Sequence, residues 1–201
     1  MQAYLLRGAV AALFAMLPAQ TPAAAPAGPK QDDKSAAELR QRADRGDGDA
    51  ALSLGNLLVQ GKASTARYGN PVDWYKKGCA ADSISACHNA GLSYHRGRNG
   101  AKTDYTEAAN YYLLAADRAF LYSMFNLAML YADGRITSLD NREGLKWLLV
   151  AQRAAAQCPD RLMCKSVLED KRGYRVRLEA PLSADERREA RQLADNWQPL
   201  R

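Results

Sequence analysis

The sequence predicts an all-α fold, an α-solenoid of stacked helix-turn-helix repeats closed by a C-terminal capping helix. Three observations point to it. Landmark glycines at Gly61, Gly97 and Gly134 recur with a period of 36 and then 37 residues, and a fixed period in that range marks a repeat architecture. Aromatic landmarks Trp74, Tyr111 and Trp147 follow those glycines by 13 or 14 positions. Between the landmarks, apolar residues recur at three and four positions, the helical period, and turn chemistry punctuates them.

The first segment, MQAYLLRGAVAALFAMLPAQTPAAAPAGPK, places Arg7 before an apolar run over residues 8–17 and then small residues. That is the layout of a cleaved secretory signal, and the run is shorter than the roughly 20 apolar residues of a membrane helix. Cleavage after Ala25-Pro26-Ala27 makes residues 1–27 the signal peptide and residues 28–34 a disordered linker, with no stable membrane insertion after cleavage. The remaining 174 residues carry a formal charge of +5, because only Arg7 is lost from the +6 of the whole chain. One domain with a real core is expected at that size. Its basic residues form no dense block, which argues against a nucleic-acid partner.

The solenoid is expected over residues 35–158. A first helix over 35–45 begins with Ser35 and Glu38 at capping-box spacing. Three repeats follow, at about 46–81, 82–117 and 118–153. They pair LGNLLVQG with DWYKKGC, AGLSYHRG with NYYLLAA, and LAMLYADG with KWLLVAQ. Asp104 with Glu107, and Asp140 with Glu143, have capping-box spacing and start the second helices of two repeats. In the first repeat Arg67 takes the capping position, and Pro71 stands where the others have Ala108 and Gly144. Proline is tolerated in a first turn but not in a helix interior, so that helix starts near Pro71 after a longer loop over 62–70. Gly55, Gly91 and Ala128 are small at one equivalent position, which lets two helix backbones approach. Tyr75, Tyr112, Phe125, Trp74 and Trp147 fill the layers as core. Residues 159–198 complete the stack: 159–177 reads as a further helix. LSADERREARQLADNW then caps the end, with Ser183 and Glu186 at its start and Ala190, Leu193, Ala194 and Trp197 on one face.

The LGxxYxxG-like segments, each followed by a WY-K-AA-like segment at this period, resemble Sel-1-like repeats, relatives of the tetratricopeptide repeat, over about residues 46–152. The resemblance implies a right-handed solenoid. Its inner face, built mainly from the first helix of each pair, would be an extended groove that holds another protein or peptide. By position the partner-binding candidates are Asn56, Gln60, Asn89, Ser93, Arg96 and Asn126, several of them polar where a core would be apolar. Asn89 and Asn126 are equivalent; they either bind peptide backbone or satisfy helix ends, and both readings stand.

All four cysteines, Cys79, Cys87, Cys158 and Cys164, lie in the exported part, and an even count in an oxidising compartment indicates disulfides. The Cys79 and Cys87 spacing is similar to that of cysteine-rich Sel-1-like proteins exported by bacteria, in which such pairs are disulfides within repeats. The resemblance therefore implies a staple across the helix-turn-helix. This sequence departs from that pattern in keeping the pair in one repeat: the next has Ala116 and Met124 at those positions. Cys158 and Cys164 lie six apart across another helix junction and are expected to pair with each other. His88 and His95, two helical turns apart, could supplement the thiolates in a metal site. His88 stands where the repeat has an aromatic residue, however, so a packed histidine is expected, with no metal and no cofactor.

Some cysteine-rich relatives have been called β-lactamases, a chemistry that needs Ser-x-x-Lys so that a base can take the hydroxyl proton. No serine here is followed by lysine at that spacing, and no Gly-x-Ser-x-Gly elbow or His-Glu-x-x-His pair occurs. No catalytic residue is expected. The leading expectation is a non-catalytic periplasmic or secreted adaptor or regulator in envelope signalling, assembly, virulence or effector immunity. The alternative is a cysteine-rich repeat protein that binds or hydrolyses β-lactams.

Overall fold

A computed structural model describes residues 31–136, 140–158 and 161–200, which form eleven α-helices with no strand among them. Residues 1–27, read as a signal peptide, lie outside the described residues. Helix α1 (Gln31–Asp44) leads into three helix pairs: α2 (Gly48–Val59) with α4 (Pro71–Ala80), α5 (Ile84–Arg96) with α6 (Tyr105–Ala116), and α7 (Leu121–Ala132) with α8 (Asn141–Ala155). A short helix, α3 (Thr65–Tyr68), sits in the loop of the first pair. Helices α9 (Leu162–Glu169), α10 (Tyr174–Glu179) and α11 (Ala184–Asn196) follow. Each pair packs on its neighbours in chain order, and α11 lies on α8. The fold is an all-α solenoid with a terminal capping helix.

Helix starts differ in detail from the sequence reading. Helix α1 begins upstream of Ser35, so Ser35 and Glu38 lie inside it and do not cap it. Asp104 caps α6 by accepting from the Glu107 amide at 3.0 Å. Asp140 caps α8 by accepting from the Arg142 amide, and its carboxylate also accepts from the Arg142 guanidinium at 2.8–3.0 Å. The reciprocal capping box is complete at Ser183 and Glu186. Pro71 opens α4 at its first turn, as its fixed φ and missing amide require. The long loop before it is not irregular throughout. Tyr68 of α3 is buried, and its carbonyl accepts from the Trp74 indole at 2.7 Å, which ties loop to helix.

Two left-handed residues per repeat turn the chain. Gly61, Gly97 and Gly134, at φ 68, 60 and 62°, stop the first helix of each pair. A second set, Gly46, Asp82 and Ala119 at φ 92, 63 and 64°, lies in the turns that lead into each repeat, again 36 and 37 residues apart. Glycine enters this region freely, whereas an L-residue with a Cβ pays about 1–2 kcal/mol.

The region 159–177 is not one helix. Asp170 (φ 39°) and Gly173 (φ 62°) break it, and the Asp170 carboxylate accepts from the amides of Tyr174 and Arg175 at 2.9 Å, starting α10. Beyond α11, Trp197 packs edge-on to buried Trp147 with centroids 5.9 Å apart, and the Leu200 amide donates to the Asp117 carbonyl. Ala190 and Ala194 face the core as expected, while Leu193 remains partly exposed.

Both cysteine pairs are bonded: Cys79 with Cys87, and Cys158 with Cys164. The first joins the end of α4 to the start of α5 across the Asp82 turn. Closing loops of this size contributes about 2–3 kcal/mol each in the chain-entropy view.

The small residues serve aromatic rings more than backbones. A Cβ on Gly55 would meet the Tyr75 ring at 2.6 Å, and one on Gly91 would meet the Tyr112 ring at 2.7 Å and the Ala108 carbonyl at 3.1 Å. Close backbone approach is instead strongest at Gly48 and Gly78. A Cβ on the first would meet the Ala81 carbonyl at 2.4 Å, and one on the second the Gly48 carbonyl at 2.9 Å. The layers hold Tyr75, Tyr112, Phe125 and Trp147 as buried core, with Trp74 half-buried.

These positions predict opposite signs for two exchanges between glycine and alanine. Gly91→Ala gains about 1 kcal/mol of helix propensity but forces a methyl into a buried ring, at a cost of roughly 1–3 kcal/mol; urea melts should show net destabilisation. Ala119→Gly relieves a left-handed alanine on an exposed turn and should raise stability by about 0.5–1 kcal/mol. Equal melts for Ala119→Gly and the parent would show that the turn carries no strain.

Candidate groove face

The first helices of the three pairs, α2, α5 and α7, stand side by side, and side-chain bonds cross between them. The Asn89 amide of α5 donates to Asn56 Oδ1 of α2 at 3.4 Å, and His88 Nδ1 of α5 lies 2.9 Å from Ser123 Oγ of α7. Tyrosines from the second helices reach this face because the glycines beneath their rings carry no side chain. The Tyr75 hydroxyl donates to Asn56 Oδ1 at 2.9 Å. The Tyr112 hydroxyl lies 3.2 Å from His95 Nδ1 and is hydrogen-bonded by the Asn126 side chain.

Of the six candidate residues, Asn56, Asn89 and Asn126 are half-buried members of this polar line. Gln60, the C-cap of α2, and Arg96, the last residue of α5, are exposed at its edge. Ser93 is not on the face. It is fully buried, donating to the Asn89 carbonyl at 2.8 Å and accepting from the Asn99 side chain at 2.9 Å. Counting from Gly91, Ser93 lies two positions on, on the side of the helix that turns into the stack; its role is to anchor the loop after α5. Sequence reading missed Tyr75 and Tyr112 as members of the face, because an aromatic at a core spacing gives no sign that its hydroxyl emerges on the far side.

Burial sets the ionisation of the groups here. The Tyr75 hydroxyl is pushed up to about 12 and that of Tyr112 is raised further, so both are neutral hydrogen-bonding groups at physiological pH. His88 sits among the rings of Tyr112, Phe120 and Tyr122, at centroid distances of 5.6, 5.0 and 5.9 Å. Desolvation there, with Arg96 adding repulsion, lowers its pKa to about 4. His95 is lowered for the same two reasons. General acid or base work favours groups poised near the operating pH, and these shifts move each group away from it. The two histidines do not converge on the cysteines, which are bonded to each other. Among the described residues no cluster of three or more His, Cys, Asp or Glu is placed to hold a metal ion.

The His88 environment makes stability pH-dependent. Its folded pKa lies below the unfolded value near 6.5, so the unfolded chain takes up the proton first. Stability is therefore lost as pH falls from about 6.5 to about 4, by roughly 3 kcal/mol from this residue. His88→Phe keeps a ring in the cage and removes the titration. Urea melts across this range should give a difference curve between the two proteins with that slope, and a flat difference would show that His88 titrates normally.

Comparison with known proteins agrees with this architecture. The Sel1 repeat family matches residues 84–120 and 121–157. Cytochrome c oxidase assembly factor 7 of Xenopus tropicalis is 36% identical over 113 residues, covering 52% of this chain and 48% of that protein. The protein of the same name from Mus musculus is 30% identical over 112 residues, with the same coverage. The chain spans about half the length of these relatives. Among solved structures, a protective antigen of uropathogenic Escherichia coli with an SLR fold aligns over 81% of this chain and 32% of its own, at a TM-score of 0.61 and 22% identity. A Sel1 repeat protein from Oxalobacter formigenes aligns over 82% of this chain and 64% of its own, at a TM-score of 0.54 and 23% identity. Residues 84–157 thus match two Sel1 repeats, and the chain has the tetratricopeptide-like solenoid fold of such repeats.

Proposed function

We propose that this protein is a non-catalytic interaction module that holds a partner polypeptide on the face of α2, α5 and α7, as an assembly factor or adaptor does. The observation that carries the reading is the line of half-buried amides, Asn56, Asn89 and Asn126, running across three adjacent helices. Half-buried carboxamides keep donors and acceptors free for a peptide backbone while their remaining valences are tied to the tyrosines. Repeat stacks characteristically use such extended faces for binding. The relatives named as cytochrome c oxidase assembly factors support a role in assembling other proteins. Two disulfides support an oxidising compartment, periplasmic or secreted in a bacterium, and no helix among the described residues is long and apolar enough to cross a membrane.

The test is cross-linking in the native compartment with a C-terminal tag, followed by mass spectrometry. A dominant partner is expected, with its capture reduced about tenfold or more by Asn89→Ala with Asn126→Ala, a loss of one or two hydrogen bonds from a packed interface. Leu114→Arg, on the exposed outer side of α6, should leave capture unchanged. The reverse pattern would place the partner on the outer surface and reject the groove reading.

A further inference from the structure

We infer that the cavity where the end of α5, the middle of α7 and the α9–α10 turn meet receives an acidic side chain of the partner segment, beside an apolar one. This rests on the groove reading above and specifies the chemistry of its occupant. The cavity has a volume of about 460 Å³. Its floor is apolar, made by Phe125, Met129 and Tyr174, with the rings of Phe125 and Tyr174 edge to face at 5.6 Å. Its rim is cationic: Arg96, Lys171 and Arg172 line it against the single carboxylate of Asp170.

That carboxylate is already committed. Both oxygens of Asp170 accept backbone amides, those of Tyr174 and Arg175, so neither is paired with a rim cation, and its one negative charge leaves the three cations in excess. Other acids do not remove that excess. Arg96 has no ion-pair partner among the described residues. Arg172 is engaged by a neutral group, the Tyr174 hydroxyl at 3.4 Å. Lys171 alone has an acid, an exposed pair with Glu169 at 3.1 Å, and such pairs contribute little. Asp133, the other carboxylate close by, is taken by Arg177 at 2.6 Å. Two guanidiniums with open forks over an apolar floor match a carboxylate, which arginine binds through paired donors, with an aliphatic or aromatic side chain seated below it.

The position in the fold favours a peptide over a free small anion. Phe125 and Met129 flank Asn126 on α7, so the cavity adjoins the end of the line of amides that crosses α2, α5 and α7, and Arg96 borders it from the end of α5. The rim lies beyond the repeats themselves, on the turn that Asp170 and Gly173 create. Charge recognition here is consequently a property of the C-terminal helices added to the stack.

The experiment uses the oxidised full chain and a phage-displayed library of random 12-residue peptides, with the enriched sequences resynthesised in Glu, Gln and Lys versions and measured by fluorescence anisotropy. Enriched peptides should carry Asp or Glu beside Leu, Ile or Phe. Their Lys versions should bind at least about tenfold more weakly, and raising salt from about 50 to 300 mM should weaken the acidic versions. Arg96→Glu with Arg172→Glu should lower affinity about 10- to 100-fold with an unchanged melting curve, while Arg96→Lys with Arg172→Lys should retain most of it. Enrichment without acidic preference, indifference to the double charge reversal, or no enrichment at all would overturn the proposal. Cross-linking separates this from the broader reading. A partner that depends on Asn89 and Asn126 but not on Arg96 and Arg172 sinks the acidic pocket alone, whereas a partner indifferent to the asparagines sinks the groove itself.

Discussion

The structure depends on a tyrosine ring lying across a glycine. Gly55 under Tyr75 and Gly91 under Tyr112 set the spacing of the first two helix pairs, since a methyl at either glycine would sit 2.6–2.7 Å from a ring carbon. The same contact makes the candidate face. A ring that passes over a glycine can send its hydroxyl through to the other side of the pair, where Asn56, Asn126 and His95 engage it. Packing and surface chemistry are thereby the same contact seen from two sides. A buried hydroxyl without a partner costs about 1–3 kcal/mol, so the polar line is also what permits these tyrosines to be buried.

A stack of three pairs exposes both of its ends, and much of the remaining chain deals with that constraint. Helix α1 covers α2, and α11 covers α8, where Trp197 closes over Trp147 and Arg153 donates to the Ala194 carbonyl at 3.0 Å. The interior is unevenly supplied. The large buried side chains concentrate between α6 and α11, whereas the N-terminal layers rest on alanines such as Ala36, Ala43, Ala50 and Ala51. The first disulfide falls at the passage from the light half to the heavy half. There Cys79 and Cys87 pack with Ala115, and a covalent link adds what apolar burial supplies elsewhere.

Much of this was legible in the sequence, for physical reasons that differ by element. The landmark glycines at 61, 97 and 134 were readable because glycine is the ordinary solution to a left-handed helix stop. The equally periodic turn at 46, 82 and 119 was not, because Asp82 and Ala119 hold the left-handed conformation without its usual residue. Pro71 announced the start of α4 since proline fits a first turn. The break between α9 and α10 escaped because its cap, Asp170, acts across four residues and is bracketed by charged residues that are also good helix formers. Ser93 shows the limit for the site. A serine at a helical position reads as exposed by type, and only the location of Asn99 turns it into a buried anchor.

The resulting face is polar and neutral at one end and cationic at the other. Tyr75 and Tyr112 have Leu148 at the equivalent position in the third pair, so no tyrosine hydroxyl emerges there and the hydrogen-bonding line stops at Asn126. Where it stops, Phe125 and Met129 offer an apolar floor and the α9–α10 turn brings Lys171 and Arg172 over it, opposite Arg96. With a partner bound as proposed, neutral amides would give an extended segment affinity with little preference for direction, since peptide backbones present donors and acceptors either way. A charged, shaped cavity at one end would remove that degeneracy, because reversing the segment would leave a carboxylate away from its guanidiniums and the guanidiniums uncompensated. On the proposed reading, the division of labour between repeats and C-terminal helices would follow from what each can supply: the repeats would give length and backbone recognition, and the added helices orientation.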